Sequence, residues 1–150
     1  MTPRTIVLDA NERMRAVLGR RVLGLMEAFA PQLTFLAPEV AFDGVREHLA
    51  GVLAKRSASA ALQPALAKLD ALRAVVQAMD REEYQALQHA ALVRIGPRDP
   101  DHWPVLACAL VANCPIWTED RDFFGIGVAT WTTALVELFL NEPAPNSDAT

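Results

Sequence analysis

Short apolar runs that each stop at an acid, separated by stretches of helical spacing, constrain this chain more than any other feature. TIVL runs into Asp9, and the segment behind it carries Met14, Val17, Leu18, Val22 and Leu25 at the spacing of an amphipathic helix. Asp43 lies in APEVAFDGVREHL, Asp99 and Asp101 precede WPVLACALVA, and Asp120 and Asp122 follow PIWT. Strands that feed directly into helices, repeated along a chain, are the pattern of parallel strands joined by crossover helices. The expected fold is therefore α/β: a three-layer α/β/α sandwich with a mainly parallel central sheet. In an open sheet of this kind the carboxyl ends of the strands line one crevice, where acids distant in sequence meet. Converging carboxylates repel and resist ionising together. A hard divalent cation with oxygen ligands relieves that conflict.

The rest of the chain keeps the same alternation. LTFLA (33–37), AVVQAM (74–79), PIWT (115–118) and GVATWT (127–132) read as further strands, with Pro115 at the start of its strand. Helices are expected from Pro38 to about Lys55, over ALQPALAKLDALR with Pro64 near its start, over REEYQALQHAALVRI, over HWPVLACALVANC and over TALVELFL. Asp80 with Glu83 three residues on is a capping-box pair, and GPRDPD is a loop by its Gly and Pro content.

A chain of 150 residues, 52% hydrophobic, supports one well-buried core and is short for two domains. We expect one domain over residues 1–141 and a disordered tail at 142–150, which has too few apolar residues to anchor it. The formal net charge of −4 argues against a general polyanion-binding surface, so any nucleic-acid site must be local. Cys108 and Cys114 are too few for a disulfide scaffold and read as buried thiols. No apolar run reaches the ~18 residues of a membrane span, and MTPRTIVLD lacks the apolar core of a signal peptide; no membrane association and a cytoplasmic location are expected.

The segments IVLDAN (6–11), APEVAFDGVREHL (37–49), RDPDHWPVLACALVANCPIWTEDRDF (98–123) and GVATWTT (127–133) together resemble the PIN-domain nucleases, a family that includes VapC-type toxins. They span almost the whole chain in the family's order, and the long third segment is the most specific. The resemblance implies an acid at the end of the first strand, a second on the helix after the second strand, a third at the start of the long helix and a fourth after the next strand. Asp9, Asp43 and Asp120 match the first, second and fourth. The third falls on His102, where many relatives carry an acid; either Asp101, one residue earlier, supplies the carboxylate or His102 coordinates metal through a ring nitrogen.

The resemblance thus implies a catalytic set of Asp9, Asp43, Asp101 and Asp120, and metal ligation by Asp9, Asp120, His102 and Asp122. Mg²⁺ or Mn²⁺ is the expected cofactor, with the imidazole favouring Mn²⁺. Asn11, Arg13, Arg15 and Thr118 are the expected substrate contacts. Arg13, Arg15, Arg20 and Arg21 form a basic cluster suited to phosphate, or else a solvated helix face. Asp99 and Asp122 have loop capping as their alternative role, and Glu39 and Glu47 flank Asp43 on nearly one helix face. Trp103 and Trp117 read as core, and His48 and His89 as surface residues.

The function implied is a metal-dependent endoribonuclease acting on RNA, the toxin of a toxin–antitoxin pair with a cognate antitoxin protein as partner. A homodimer is expected as well, since Val22, Leu25, Met26 and Phe29 exceed what one buried face requires. The alternative is a catalytically weakened PIN module that binds nucleic acid or a protein partner. A phosphatase is disfavoured by the lack of a Gly-rich phosphate loop.

Overall fold

The computed structural model describes residues 4–9, 19–42 and 45–142. Asn11, Arg13, Arg15 and Asp43 lie outside them, as does the chain beyond Glu142. Five strands make one sheet: β1 (Arg4–Leu8), β2 (Leu33–Pro38), β3 (Val76–Met79), β4 (Ile116–Trp117) and β5 (Thr130–Trp131), in the order β3-β2-β1-β4-β5. All four pairings are parallel. Helices α1 (Arg21–Phe29), α2 (Val45–Lys55), α3 (Leu62–Val75), α4 (Arg81–Tyr84), α5 (Gln88–Ile95), α6 (Trp103–Ala112) and α7 (Val136–Leu140) cover the sheet.

The layers follow from the alternation of side chains along each strand. Ile6, Leu8, Phe35 and Trp117 point to one face, where they meet Val22 and Met26 of α1, Leu49 and Leu53 of α2, Leu69 and Leu72 of α3, and Val136 and Leu140 of α7. Val7, Leu36 and Ile116 point to the other, against Ala91 and Ile95 of α5 and Val105 to Ala109 of α6. Burial on both faces explains why the strands read as unbroken apolar runs. It also explains α6, whose sequence WPVLACALVA has almost no polar side: residues 105 to 109 are all buried. Asn113, in the left-handed region at φ 49°, ends α6 and turns the chain into β4.

Several local expectations shift. Pro38 closes β2 opposite Met79 rather than opening a helix; a 3₁₀ turn over Glu39–Phe42 follows, and α2 starts at Val45. Proline has no N–H to extend the ladder, which suits the last residue of a strand. The segment after Asp80 is broken into α4, a 3₁₀ turn at Gln85–Leu87 and α5, with Tyr84 drawn into the core against the Trp103 ring at 5.6 Å. Its N-terminus is the expected capping box, with the Asp80 N–H donating to Glu83 Oε2 at 2.8 Å. Val22 and Met26, two of the four residues behind the dimer expectation, are core, and Leu25 and Phe29 pack against it. Among the described residues the most exposed large apolar side chains are instead Val93, Leu135 and Leu138. Cys108 is buried and Cys114 half-buried; burial pushes both thiols up to about 12, aided at Cys108 by the neighbouring Cys114. No helix among the described residues is long and apolar enough to cross a membrane.

The strand order reverses beside β1, which lies between β2 and β4. The crevice beyond the carboxyl ends of β1 and β4 is thus the topological switch point of the sheet, the usual ligand position in open α/β folds. Asp9 follows β1 there, and Thr118 follows β4.

Candidate metal centre

Asp9 is carried out of β1 by a backbone bond from its own N–H to the Trp117 carbonyl, 3.1 Å, so the main chain fixes where its carboxylate stands. That carboxylate is 1% exposed, and a buried charge is costly unless it is paired or coordinates a cation. Thr118, fully buried, donates from Oγ1 to Asp9 Oδ2 at 2.8 Å. The same hydroxyl oxygen accepts the Asp120 N–H at 2.9 Å. One side chain therefore links the acid after β1 to the acid after β4.

Asp99 and Asp120 form two turns of the same design on opposite sides of His102. Asp99 Oδ1 accepts the Asp101 N–H at 3.0 Å, and Asp120 Oδ1 accepts the Asp122 N–H at 2.9 Å. Such side-chain-to-backbone turns are what Asp does locally after a loop residue. Each fixes one oxygen and leaves the other directed inward. His102 Nε2 lies 3.0 Å from Asp120 Oδ2, 3.4 Å from Asp99 Oδ2 and 3.7 Å from Asp122 Oδ2. The imidazole ring is held against Phe123, centroids 4.8 Å apart, and Phe123 is fully buried.

One ligand atom from each of Asp99, His102 and Asp122 falls within 4.8 Å of the others. Oxygen donors with one imidazole nitrogen at this separation suit a divalent ion of the Mg²⁺ to Mn²⁺ series, the nitrogen weighting the choice toward Mn²⁺. Asp9 and Asp120 are not among the three whose ligand atoms converge, but Asp9, buried and held by Thr118, is linked to the group through Thr118 and Asp120. The residues present therefore fit a divalent metal.

Of the residues singled out from the sequence, Asp9, Thr118 and Asp120 are joined by hydrogen bonds, and His102 and Asp122 converge on Asp120. Asp101 is exposed; its backbone N–H serves Asp99, and its side chain is not part of the converging group. Asp99 combines both readings weighed for it, since it caps its turn and faces His102. Arg20 and Arg21 are exposed, and Arg21 lies 3.8 Å from Glu137. His48 and His89 are exposed. Sequence reasoning missed the Phe123 support under His102, which its place in the apolar end of TEDRDFF could have suggested. It also missed Glu119, whose Oε1 accepts the Thr133 N–H at 2.6 Å while Thr133 Oγ1 accepts the Trp117 indole N–H at 3.1 Å, tying β4 to the segment after β5.

The family model described as PIN domain matches residues 7–141. No curated protein sequence matches the chain. Among solved structures, a chain of the crystal structure of VapBC2 from Rickettsia felis bound to a DNA fragment from their promoter is similar over 85% of this chain and 98% of that one, at 13% identity and a TM-score of 0.62. That likeness is one of fold. With a match that leaves out only the first six and last nine residues, and the acids of the sheet's carboxyl edge gathered at its switch point, the chain belongs to the PIN-domain family.

Proposed function

We propose that the chain is a metal-dependent endoribonuclease that hydrolyses RNA phosphodiester bonds, acting in the cytoplasm as the toxin of a toxin–antitoxin pair. The observation that carries this reading is the hydrogen-bonded line Asp9–Thr118–Asp120 leading to His102, with Asp99 and Asp122 on the same nitrogen. Mg²⁺ or Mn²⁺ bound there supplies charge for the non-bridging phosphate oxygens and a more acidic water. Asp9, held in one orientation by Thr118, would be a direct ligand, as would Asp120 and Asp122 through the oxygens facing His102. His102 would ligate through a lone pair on Nε2, the nitrogen that faces Asp120. Asp43 would bind through water, and Asn11, Arg13 and Arg15 would contact the substrate backbone, Arg being suited to bidentate phosphate recognition.

The VapBC2 structure, a relative by fold, supports a cognate antitoxin as protein partner. A homodimer is proposed with it, Leu135 and Leu138 being exposed apolar side chains that a second copy could cover. The test of the enzyme reading is cleavage of single-stranded RNA in Mg²⁺ and in Mn²⁺. Wild type should cut, chelation with EDTA should stop it, and Asp9→Asn should reduce it to background. The second reading, a module that binds RNA or a partner without turnover, is favoured by one observation: an imidazole, His102, stands where the resemblance to the family implies an acid. No cleavage in either metal, with RNA binding retained, would establish it.

A further inference from the structure

Two arginines about one helical turn apart hold the loop behind Asp120. Arg94, in the last turn of α5, donates from Nη1 to the Ile126 carbonyl at 3.4 Å. Arg98, in the turn after that helix, donates from Nη1 to the carbonyls of Asp122 at 2.9 Å, Arg121 at 3.5 Å and Phe124. The carbonyls that Arg98 binds lie in and just after the 3₁₀ turn at Arg121–Phe123, and the loop then bends at Gly125 and Gly127, φ +77° and +89°, a region that glycine enters without penalty. At Gly127 a Cβ would stand 3.1 Å from Arg94 Nη1, the far end of a flexible side chain that would have to give by a few tenths of an ångström.

The two clamps differ in what they hold. Arg94 grips the far end of the loop, at Ile126. Arg98 grips the part that carries Asp122, and its own backbone leads directly into Asp99. A single side chain thus spans the two acidic turns whose separation sets the distances from His102 Nε2 to Asp99, Asp120 and Asp122. All three bonds run from one nitrogen, Nη1, whose two hydrogens are shared among the three carbonyls.

We propose that Arg98 is a positioning residue for the metal centre: by clamping the carbonyls of residues 121, 122 and 124 it holds Asp120 and Asp122 at ligating distance from the Asp99–His102 turn. This rests on the metal reading above. Groups that orient metal ligands from behind commonly change metal affinity by about 10- to 100-fold when removed. Arg98→Ala should therefore weaken Mn²⁺ binding at least about tenfold by calorimetric or EPR titration. Arg98→Lys should recover part of the loss, and Arg94→Ala, which loosens the same loop away from the acids, should stay within about twofold of wild type, well short of that range. A merely structural arginine would lower metal-free melting in both alanine variants and leave Mn²⁺ affinity alone.

Amide hydrogen exchange of the metal-free protein supplies an arm independent of the ion. The Asp122 N–H, bonded to Asp120 Oδ1, should exchange faster in Arg98→Ala and unchanged in Arg94→Ala. Wild-type binding of Mn²⁺ with Arg98→Ala unaltered overturns the positioning role and spares the metal reading. A wild type that binds no Mn²⁺ removes the metal reading, and exchange then decides the clamp: acceleration confined to Arg98→Ala sustains it, equal rates in all variants overturn it.

Discussion

Replacing Thr118 by Val keeps the shape of a fully buried side chain and removes the one hydroxyl that joins Asp9 to Asp120. Two groups lose a partner. Asp9 Oδ2, on a carboxylate 1% exposed, loses a hydrogen bond of the charge-assisted class, worth about 1.5–3 kcal/mol. The part-buried Asp120 N–H loses a neutral acceptor, at a cost of about 1–2 kcal/mol. Together the metal-free protein should lose roughly 2.5–5 kcal/mol, which at this chain length lowers Tm by on the order of 10 °C. Urea unfolding in EDTA reads the loss directly, and Thr118→Ser, which restores the hydroxyl, should recover most of it. A Thr118→Val loss below about 1 kcal/mol, the size of one ordinary hydrogen bond, would refute the argument that this hydroxyl secures a buried charge.

Other outcomes follow from the same geometry. His102→Asp should raise Mg²⁺ affinity in calorimetric titration, because a carboxylate among Asp99, Asp120 and Asp122 supplies negative charge and an oxygen ligand that an imidazole lacks; unchanged affinity would place the ion elsewhere. Asp99→Asn should weaken Mn²⁺ binding more than Asp101→Asn, since Asp99 faces His102 and Asp101 is exposed, and the reverse order would return the ligand role to Asp101. Gly125→Ala, at φ +77°, should lower stability by about 1–2 kcal/mol in urea unfolding through backbone strain alone. Cys108 and Cys114, pushed up to about 12 by burial, should resist alkylation at neutral pH in the native state. Their raised values also set a sign: stability is unaffected below the ordinary thiol value of 9.0 and falls as pH rises from there toward about 12, where unfolded thiols ionise and native ones do not. Urea midpoints measured across that range check it against a variant with both cysteines replaced by Ser.

What could be read from the chain depended on how local its cause is. Asp9 was legible because a buried strand is an unbroken apolar run, and the acid that ends such a run lies at the carboxyl edge of a parallel sheet. The capping box at Asp80 and Glu83 was legible for the same reason: its partners are three residues apart. Pro38 misled because a proline fits both a helix start and a strand's last residue, and only the pairing with Met79 of β3 distinguishes them. Asp99 read as a turn residue because it is one; its second role depends on Asp120, which reaches the same imidazole from a different strand end. Arg98 left no pattern at all, since its carbonyl partners are 23, 24 and 26 residues away and carbonyls have no sequence signature.

Anomalous diffraction at the manganese edge from crystals grown with Mn²⁺ shows whether Asp9, Asp120 and His102 hold a divalent ion at the switch point of the sheet. A peak is expected within coordination distance, about 2.0–2.3 Å, of an Asp9 oxygen and of His102 Nε2 or Asp120 Oδ2. Occupied crystals in which His102 keeps its contact with Asp120 and the peak lies away from Asp9, or crystals with no peak in the crevice at all, would contradict a metal centre built on these residues.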